Sequence, residues 1–340
     1  MKKVILLLSL VLPLVLLFGC ESKENNKTIE QPAAAEELKI NDYFPIKDNV
    51  KYYYKGNGNE YASYTIYNDY TLEDKVQQRI DNGGTEVVKV FQLKEGKLTR
   101  IFSKGEVYYR ENLLGIKSEN EEIILMEPLK QGTTWKLKDS RVRTITNTSA
   151  DITTPLATYK AIEVTTEGQK DKTIDYYAKN IGLVKSVFIS DGNEISSTLS
   201  NIEENVPFIQ KVNFYYPNMD DGKIYSISKE ISFKTNDITK KSLEEAYKKT
   251  GSDTKKVFSS NTKINSLYLN KDNMVYIDLN EAFINEMNAG ALYEEMILQS
   301  IANTFGQYYN AEKVVLTIDG KLYESGHIIF KKGQYLKVKH

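Results

Sequence analysis

Val87-Val88-Lys89-Val90-Phe91-Gln92-Leu93, then Lys94-Glu95-Gly96-Lys97, then Leu98-Thr99-Arg100-Ile101-Phe102 is the stretch that decides the fold. Two runs rich in branched and aromatic residues flank a short polar turn with a glycine, the pattern of a β-hairpin. Ser103-Lys104-Gly105-Glu106 repeats the turn signal, and Val107-Tyr108-Tyr109-Arg110 reads as the next strand. Short hairpins in succession predict an antiparallel meander rather than a parallel sheet. Trp135, Tyr176-Tyr177-Ala178 and Ile181-Gly182-Leu183-Val184 extend the same pattern, which covers residues 42–203 with almost no helical period.

The composition agrees with a β-rich chain. Among 340 residues, tyrosine (24) is abundant while tryptophan (1) and histidine (2) are scarce. The near balance of 45 basic and 46 acidic side chains carries no basic footprint for nucleic acid. Histidine chemistry is nearly excluded, because His327 and His340 could not build a zinc site without carboxylates. No cofactor and no metal is expected.

The single cysteine, Cys20, leaves neither a disulfide framework nor a thiol nucleophile elsewhere in the chain. Met1-Lys2-Lys3 is a basic start, Val4 to Phe18 an apolar run, and Gly19-Cys20 a small-residue cleavage point. The run is shorter than the roughly 20 residues of a spanning helix. Leu17-Phe18-Gly19-Cys20 resembles the lipobox of bacterial lipoproteins, which implies a diacylglyceryl group on Cys20 and a place on the outer face of the cell membrane. Residues 1–19 are then a signal peptide. Residues 20–41, polar and alanine-rich, read as a flexible tether.

Beyond Glu203-Glu204-Asn205 the pattern changes, and residues 208–332 read as strands interleaved with two helices, followed by a tail at 333–340. Strands are predicted at Val212–Tyr216, Tyr225–Phe233, Ser266–Leu269, Met274–Leu279 and Lys313–Ile318, with Asn270-Lys271-Asp272-Asn273 joining the third and fourth. One helix runs over Ile238–Lys249, opened by Asn236-Asp237 or Thr239. The other spans Gly290 to Tyr309, with Tyr293, Met296, Ile297, Ile301, Phe305 and Tyr308 as one apolar face. The fold class is therefore α+β: an antiparallel meander followed by a compact unit with two helices on an antiparallel or mixed sheet. Val275, Ile277 and Leu279 alternate with Met274, Tyr276 and Asp278, so that sheet should keep one open face.

Two resemblances add to this. The phrases Thr154-Pro155-Leu156-Ala157-Thr158-Tyr159-Lys160-Ala161 and Tyr176-Tyr177-Ala178-Lys179-Asn180-Ile181-Gly182-Leu183-Val184 resemble a β-rich module of other Gram-positive lipoproteins, which names no activity. Phe214-Tyr215-Tyr216-Pro217 with Asp220-Asp221-Gly222, Leu243-Glu244-Glu245-Ala246, Val275-Tyr276-Ile277-Asp278-Leu279, Gln299-Ser300-Ile301-Ala302-Asn303-Thr304-Phe305 and Val314-Val315-Leu316-Thr317-Ile318-Asp319-Gly320 together resemble the GerMN domain of sporulation and spore-germination proteins. That resemblance implies a compact α+β domain used in extracytoplasmic assembly near peptidoglycan. It carries no catalytic residue set.

The chemical signals are weak. Ser-x-x-Lys occurs at Ser226/Lys229, Ser252/Lys255 and Ser260/Lys263, but without the Ser-Asp-Asn that accompanies it in penicillin-binding proteins. Glu121-Glu122, Asp220-Asp221 and Glu294-Glu295 are adjacent carboxylates whose side chains diverge, so they read as surface rather than as acid and base pairs. Asn218, Asp220 and Asp221 lack the ligand spacing of a calcium loop. Tyr52-Tyr53-Tyr54 and Tyr108-Tyr109 could stack on sugar rings, though tyrosines more often pack a sheet. The expectation is a non-enzymatic lipoprotein anchored through Cys20, with a peptidoglycan or envelope-protein partner. The alternatives are a wall-remodelling enzyme using carboxylates and a ligand-binding lipoprotein serving a transporter.

Overall fold

The computed structural model describes residues 37–249 and 256–339. Cys20, the leader, Ser252, Lys255 and His340 lie outside the described residues. The chain enters through a single helical turn, α1 (Ile40–Tyr43), and then builds twelve strands. These are β1 (Val50–Asn57), β2 (Tyr64–Thr71), β3 (Lys75–Asp81), β4 (Glu86–Lys94), β5 (Lys97–Gly105), β6 (Glu122–Met126), β7 (Thr134–Lys136), β8 (Val142–Thr153), β9 (Thr158–Glu167), β10 (Asp171–Ala178), β11 (Gly182–Ser190) and β12 (Asn193–Glu204). They form one sheet in the order β6-β5-β4-β3-β2-β1-β12-β11-β10-β9-β8-β7. Two six-stranded meanders are thus joined where β12 returns to pair with β1.

Register shifts leave an extra, bulged residue in β2, β5, β6, β8, β11 and β12. Each such bulge bends its strand and adds twist, and here the edges meet. Ile123 O of β6 accepts from Trp135 Nε1 at 3.1 Å and from Arg143 Nη1 at 2.5 Å, and Arg143 pairs with Glu122 at 2.7 Å. Side chains therefore close the sheet where no backbone ladder joins β6 to β7 among the described residues, which also shields both edges.

The remaining elements are the hairpin β13 (Phe208–Asn218) and β14 (Lys223–Phe233), then α2 (Thr239–Lys248), β15 (Ile264–Leu269), β16 (Val275–Leu279), α3 (Ala282–Asn285), α4 (Ala291–Tyr308), β17 (Lys313–Ile318), β18 (Lys321–Leu322) and β19 (Leu336–Lys337). The hairpin stands alone, while β15 to β19 form a mixed five-stranded sheet whose β16–β17 pair is parallel. Helix α4 packs against both. Phe214 and Phe233 of the hairpin share one core with Ile297, Ile301 and Phe305 of α4 and with Val275, Ile277 and Leu316 of the sheet.

Several expectations are corrected. Beyond the large sheet the described residues hold three helices, α2, α3 and α4, rather than two, because α3 is a single turn too short to show a period, as is α1 ahead of the sheet. Helix α4 is not striped: Leu298, Ser300, Ala302 and Thr304 are buried as well as Ile297, Ile301 and Phe305, since layers cover it on more than one side. Ile40, assigned to the tether, is fully buried among Leu125 and Trp135. Residues 333–339 are no free tail, because β19 pairs with β17. Val107–Arg110 is not a strand. Its carbonyls at Val107 and Tyr109 instead accept from the Arg79 guanidinium at 2.7 and 2.8 Å. The expected caps of α2 are also used elsewhere, Asp237 on Lys234 N and Thr239 Oγ1 on Tyr70 OH.

The described residues fall in one compact unit, and a buried charge cluster explains why. Asp69 on β2 holds Arg79 at 2.9 Å, with both side chains out of solvent. Arg110, 0 % exposed, donates to the carbonyls of Asp69, Lys234 and Asp237 and lies over the Tyr70 and Phe233 rings. Its own amide donates to Tyr308 OH at 2.9 Å. The large sheet is thereby bonded to β14, to the start of α2 and to the end of α4.

Candidate functional site

Curling the large sheet leaves a cavity of about 470 Å³ on its concave side, within the roughly 300–1,000 Å³ of small-molecule sites. Alternation along the strands turns one residue in two inward. Tyr52 and Tyr54 of β1, Tyr64 and Ile66 of β2, and Lys89 and Phe91 of β4 reach it in this way. Phe44, just beyond α1, closes against Phe91 with ring centroids 5.3 Å apart, and Tyr54 stacks on Tyr64 at 4.6 Å. The position of α1 is fixed by bonds to two sides of the sheet, from Ile40 N to Glu127 Oε1 and from Asn180 N to Asp42 O.

Beside these aromatic residues part of the lining is charged. Glu122 bridges Arg100 at 2.8 Å and Arg143 at 2.7 Å. Burial alone would raise its carboxyl, but the Arg143 hydrogen bond and both guanidinium charges outweigh that and hold it below the usual carboxylate range. Asp175 has no such partner. It accepts from Ser186 Oγ at 2.6 Å, and burial pushes its carboxyl up. Burial, then the nearby Arg100 charge, lowers the Lys89 ammonium. Burial likewise raises the phenols, Tyr52 to about 12 and Tyr54 and Tyr177 further, so these rings offer neutral hydroxyls. The arrangement can bind and orient; none of these groups forms a nucleophile and base pair.

Glu121 and Glu122 diverge as adjacent strand residues should: Glu122 enters the cavity while Glu121 sits at the surface near Lys138. Tyr52 and Tyr54 also enter it, whereas Tyr53 bonds Glu203 outside. Tyr109 is buried against Tyr309, and Tyr108 is exposed. Lys229 activates no serine, because its Nζ donates to Tyr216 OH, Ala246 O and Lys249 O and so caps the end of α2. Asn218 and Asp221 bond the backbone of their own hairpin turn. Glu294 is buried, accepting from Tyr323 OH and Ser325 Oγ, with Glu295 exposed. His327 is exposed in a turn. Among the described residues no group of three His, Cys, Asp or Glu side chains could hold a metal, and no helix is long and apolar enough to cross a membrane.

Sequence reading missed Lys89, Arg100, Arg143 and Asp175. The available signal was local: each charge stands two positions from a large apolar or aromatic residue, as Lys89 does from Phe91 and Asp175 from Tyr177.

Comparison with known proteins places the C-terminal part. Residues 213–324 match the Germane family, described as sporulation and spore germination, as the resemblance implied. No curated protein matches the chain. Among solved structures, the tandem GerMN domains of the sporulation protein GerM from Bacillus subtilis align at 19 % identity and TM-score 0.30, over 38 % of this chain and 46 % of that one. This chain thus spans less than half of that structure. The first GerMN domain of the same protein aligns at 21 % identity and TM-score 0.29, over 37 % of this chain and 96 % of that one. A candidate lipoprotein from Parabacteroides distasonis aligns at 15 % identity and TM-score 0.31, over 47 % of this chain and 98 % of that one. Overlaps this partial carry neither fold nor function from one chain to the other.

Proposed function

We propose that this chain, whose residues 213–324 match the sporulation and germination family, is a lipid-tethered binding or assembly module on the outer face of a Gram-positive, spore-forming cell. The observation that carries the reading is that match. The apolar leader ending at Cys20 supports the address, and two acyl chains on that thiol would hold the protein stably where one would not. The partner is a component of the envelope, peptidoglycan or a protein bound to it.

The geometry supports binding over catalysis. Of the adjacent carboxylates that could have served a glycosidase, Glu122 is held in ion pairs and Glu294 in buried hydrogen bonds. The five-stranded sheet buries Val275, Ile277 and Leu279 on one face, while on the other Tyr268, 40 % exposed, stacks on Tyr276 at 5.6 Å. An outward aromatic pair of this kind suits protein or glycan contact better than chemistry.

Two measurements test the reading. Cys20→Ala followed by cell fractionation should move the protein out of the membrane fraction and abolish the lipid-dependent mobility shift. Unchanged retention would remove the anchor. Incubation of the purified protein with peptidoglycan should release no soluble muropeptides. Their appearance would favour a wall-remodelling enzyme instead.

A further inference from the structure

The cavity of the large sheet has a composition that neither a packed core nor a plain apolar pocket requires. Lys89 lines it and makes no hydrogen bond or ion pair among the described residues. Arg100 spends one end of its guanidinium on Glu122, yet its Nε is buried with no hydrogen-bond partner. A buried donor without a partner is costly, and such groups are a few per hundred residues at most. Here the orphaned Arg100 Nε and the half-buried Lys89 ammonium, which has no ion-pair partner, belong to side chains lining one cavity. Lys89 and Arg100 sit on adjacent strands, β4 and β5.

The balance of charge points the same way. Lys89, Arg100 and Arg143 face Glu122 and Asp175, and the cavity-lining Arg141 is held by Asp139 outside it. Burial pushes Asp175 and Lys89 alike toward their neutral forms, so the excess of positive charge rests on the Arg100 and Arg143 guanidinium groups around the single Glu122 carboxylate. The rest of the lining includes Phe44, Tyr52, Tyr54, Tyr64, Ile66 and Phe91, an apolar and aromatic surface edged by tyrosine hydroxyls, that of Tyr54 being spent on Leu183 O.

We infer that this cavity binds an amphipathic anion, its apolar body against the tyrosine, phenylalanine and isoleucine wall and its anionic head on Lys89 Nζ and Arg100 Nε. The head completes the hydrogen bonds that the protein leaves unmade. The body takes apolar surface out of water. A phosphate ester and a carboxylate share this chemistry, so a phospholipid fragment and a fatty acid are both sources, and a free inorganic anion is not. The inference does not rest on the tether or on the C-terminal family, and its outcome leaves the proposed function standing or falling by its own tests.

The sole tryptophan supplies the readout, because Trp135 Nε1 bonds the carbonyl of Ile123, between cavity-lining Glu122 and Ile124. Purified chain from residue 20 onward is titrated with dodecyl phosphate and with laurate, each below its micelle concentration. Dodecyl maltoside, dodecyltrimethylammonium and inorganic phosphate serve as comparisons. At least one anionic amphiphile should change Trp135 fluorescence saturably and raise the melting temperature, and which of the two binds tighter assigns the head. The neutral and cationic amphiphiles should bind at least about tenfold more weakly, and inorganic phosphate should not compete. Lys89→Gln and Arg100→Gln should each weaken the anion by about tenfold, the scale of a lost charge-assisted hydrogen bond, and leave dodecyl maltoside unchanged. If Lys89→Gln alters the circular dichroism, Lys89→Met keeps the stem and replaces it. Equal affinity for the neutral amphiphile, tight binding of phosphate alone, unaltered affinity in folded variants, or no saturable binding at all would overturn the assignment.

Discussion

Asp69 lies fully buried beside two guanidinium groups, Arg79 at 2.9 Å and Arg110 at 3.9 Å. Removing one member of such a cluster leaves charge and carbonyls without partners in a low-dielectric interior. Arg110→Ala should therefore destabilise the protein by about 3–5 kcal/mol in denaturant melts. Arg110→Lys should not rescue it, because one ammonium cannot serve the carbonyls of Asp69, Lys234 and Asp237 together. Next to it, burial pushes the Glu111 carboxyl from its ordinary 4.5 to about 7, against the opposing Lys104 charge. A carboxyl raised in the folded state stabilises fully below its unfolded value and loses that contribution as pH climbs through the folded one. Stability should fall between about pH 4.5 and 7 for this reason. Glu111→Gln should flatten that segment and gain about 2 kcal/mol at pH 8, read by melts across pH; a slope the same as in wild type would refute it. At this scale little was legible in advance. Nothing in the sequence separates Arg79 and Arg110 from the chain's other charges, and only the three-dimensional return of distant strands buries them.

Alternating runs and turn residues made most strands legible as elements, and Lys313–Ile318 appears as β17 with the predicted bounds. The curl of the large sheet was not legible, because bulges depend on register between strands and leave no period in one of them. For the same reason the cavity could not be foreseen, although its lining follows simple alternation once the curl is known. Helix α4 shows a different limit. Its apolar positions marked it as a helix, but Ser300, Asn303 and Thr304 looked like an outer face and are buried, with Thr304 Oγ1 accepting from Tyr215 N and Asn303 Oδ1 accepting from Lys339 N. Gly306 belongs to this packing. A Cβ placed there would stand 2.1 Å from Val338 Cγ2 and 3.0 Å from Ala311 O. Glycine to alanine inside a helix ordinarily gains up to about 1 kcal/mol. Gly306→Ala should instead lose about 1–3 kcal/mol by overpacking and speed hydrogen exchange in β19. A stabilised variant would show that the terminal strand gives way freely.

The two strand-rich parts are one body at the scale of the molecule, because Val88, Val107 and Tyr109 of the sheet side share a core with Phe214, Leu243 and Phe305. A shared core makes their unfolding interdependent. Calorimetry should give a single transition for the described unit, and two separated transitions would contradict the joint. The unit begins at Glu37, inside the expected tether, so a lipid on Cys20 would hold the cavity and the part that matches the sporulation family together at the membrane. The proposed function places this body at the envelope in sporulation or germination and requires its anchor there. The direct measurement is the yield of heat-resistant spores and their germination in cells lacking the protein, complemented by wild type or by Cys20→Ala. Cells lacking the protein should show a deficit that wild type restores and Cys20→Ala does not. Normal sporulation and germination without the protein, or full rescue by Cys20→Ala, would contradict it.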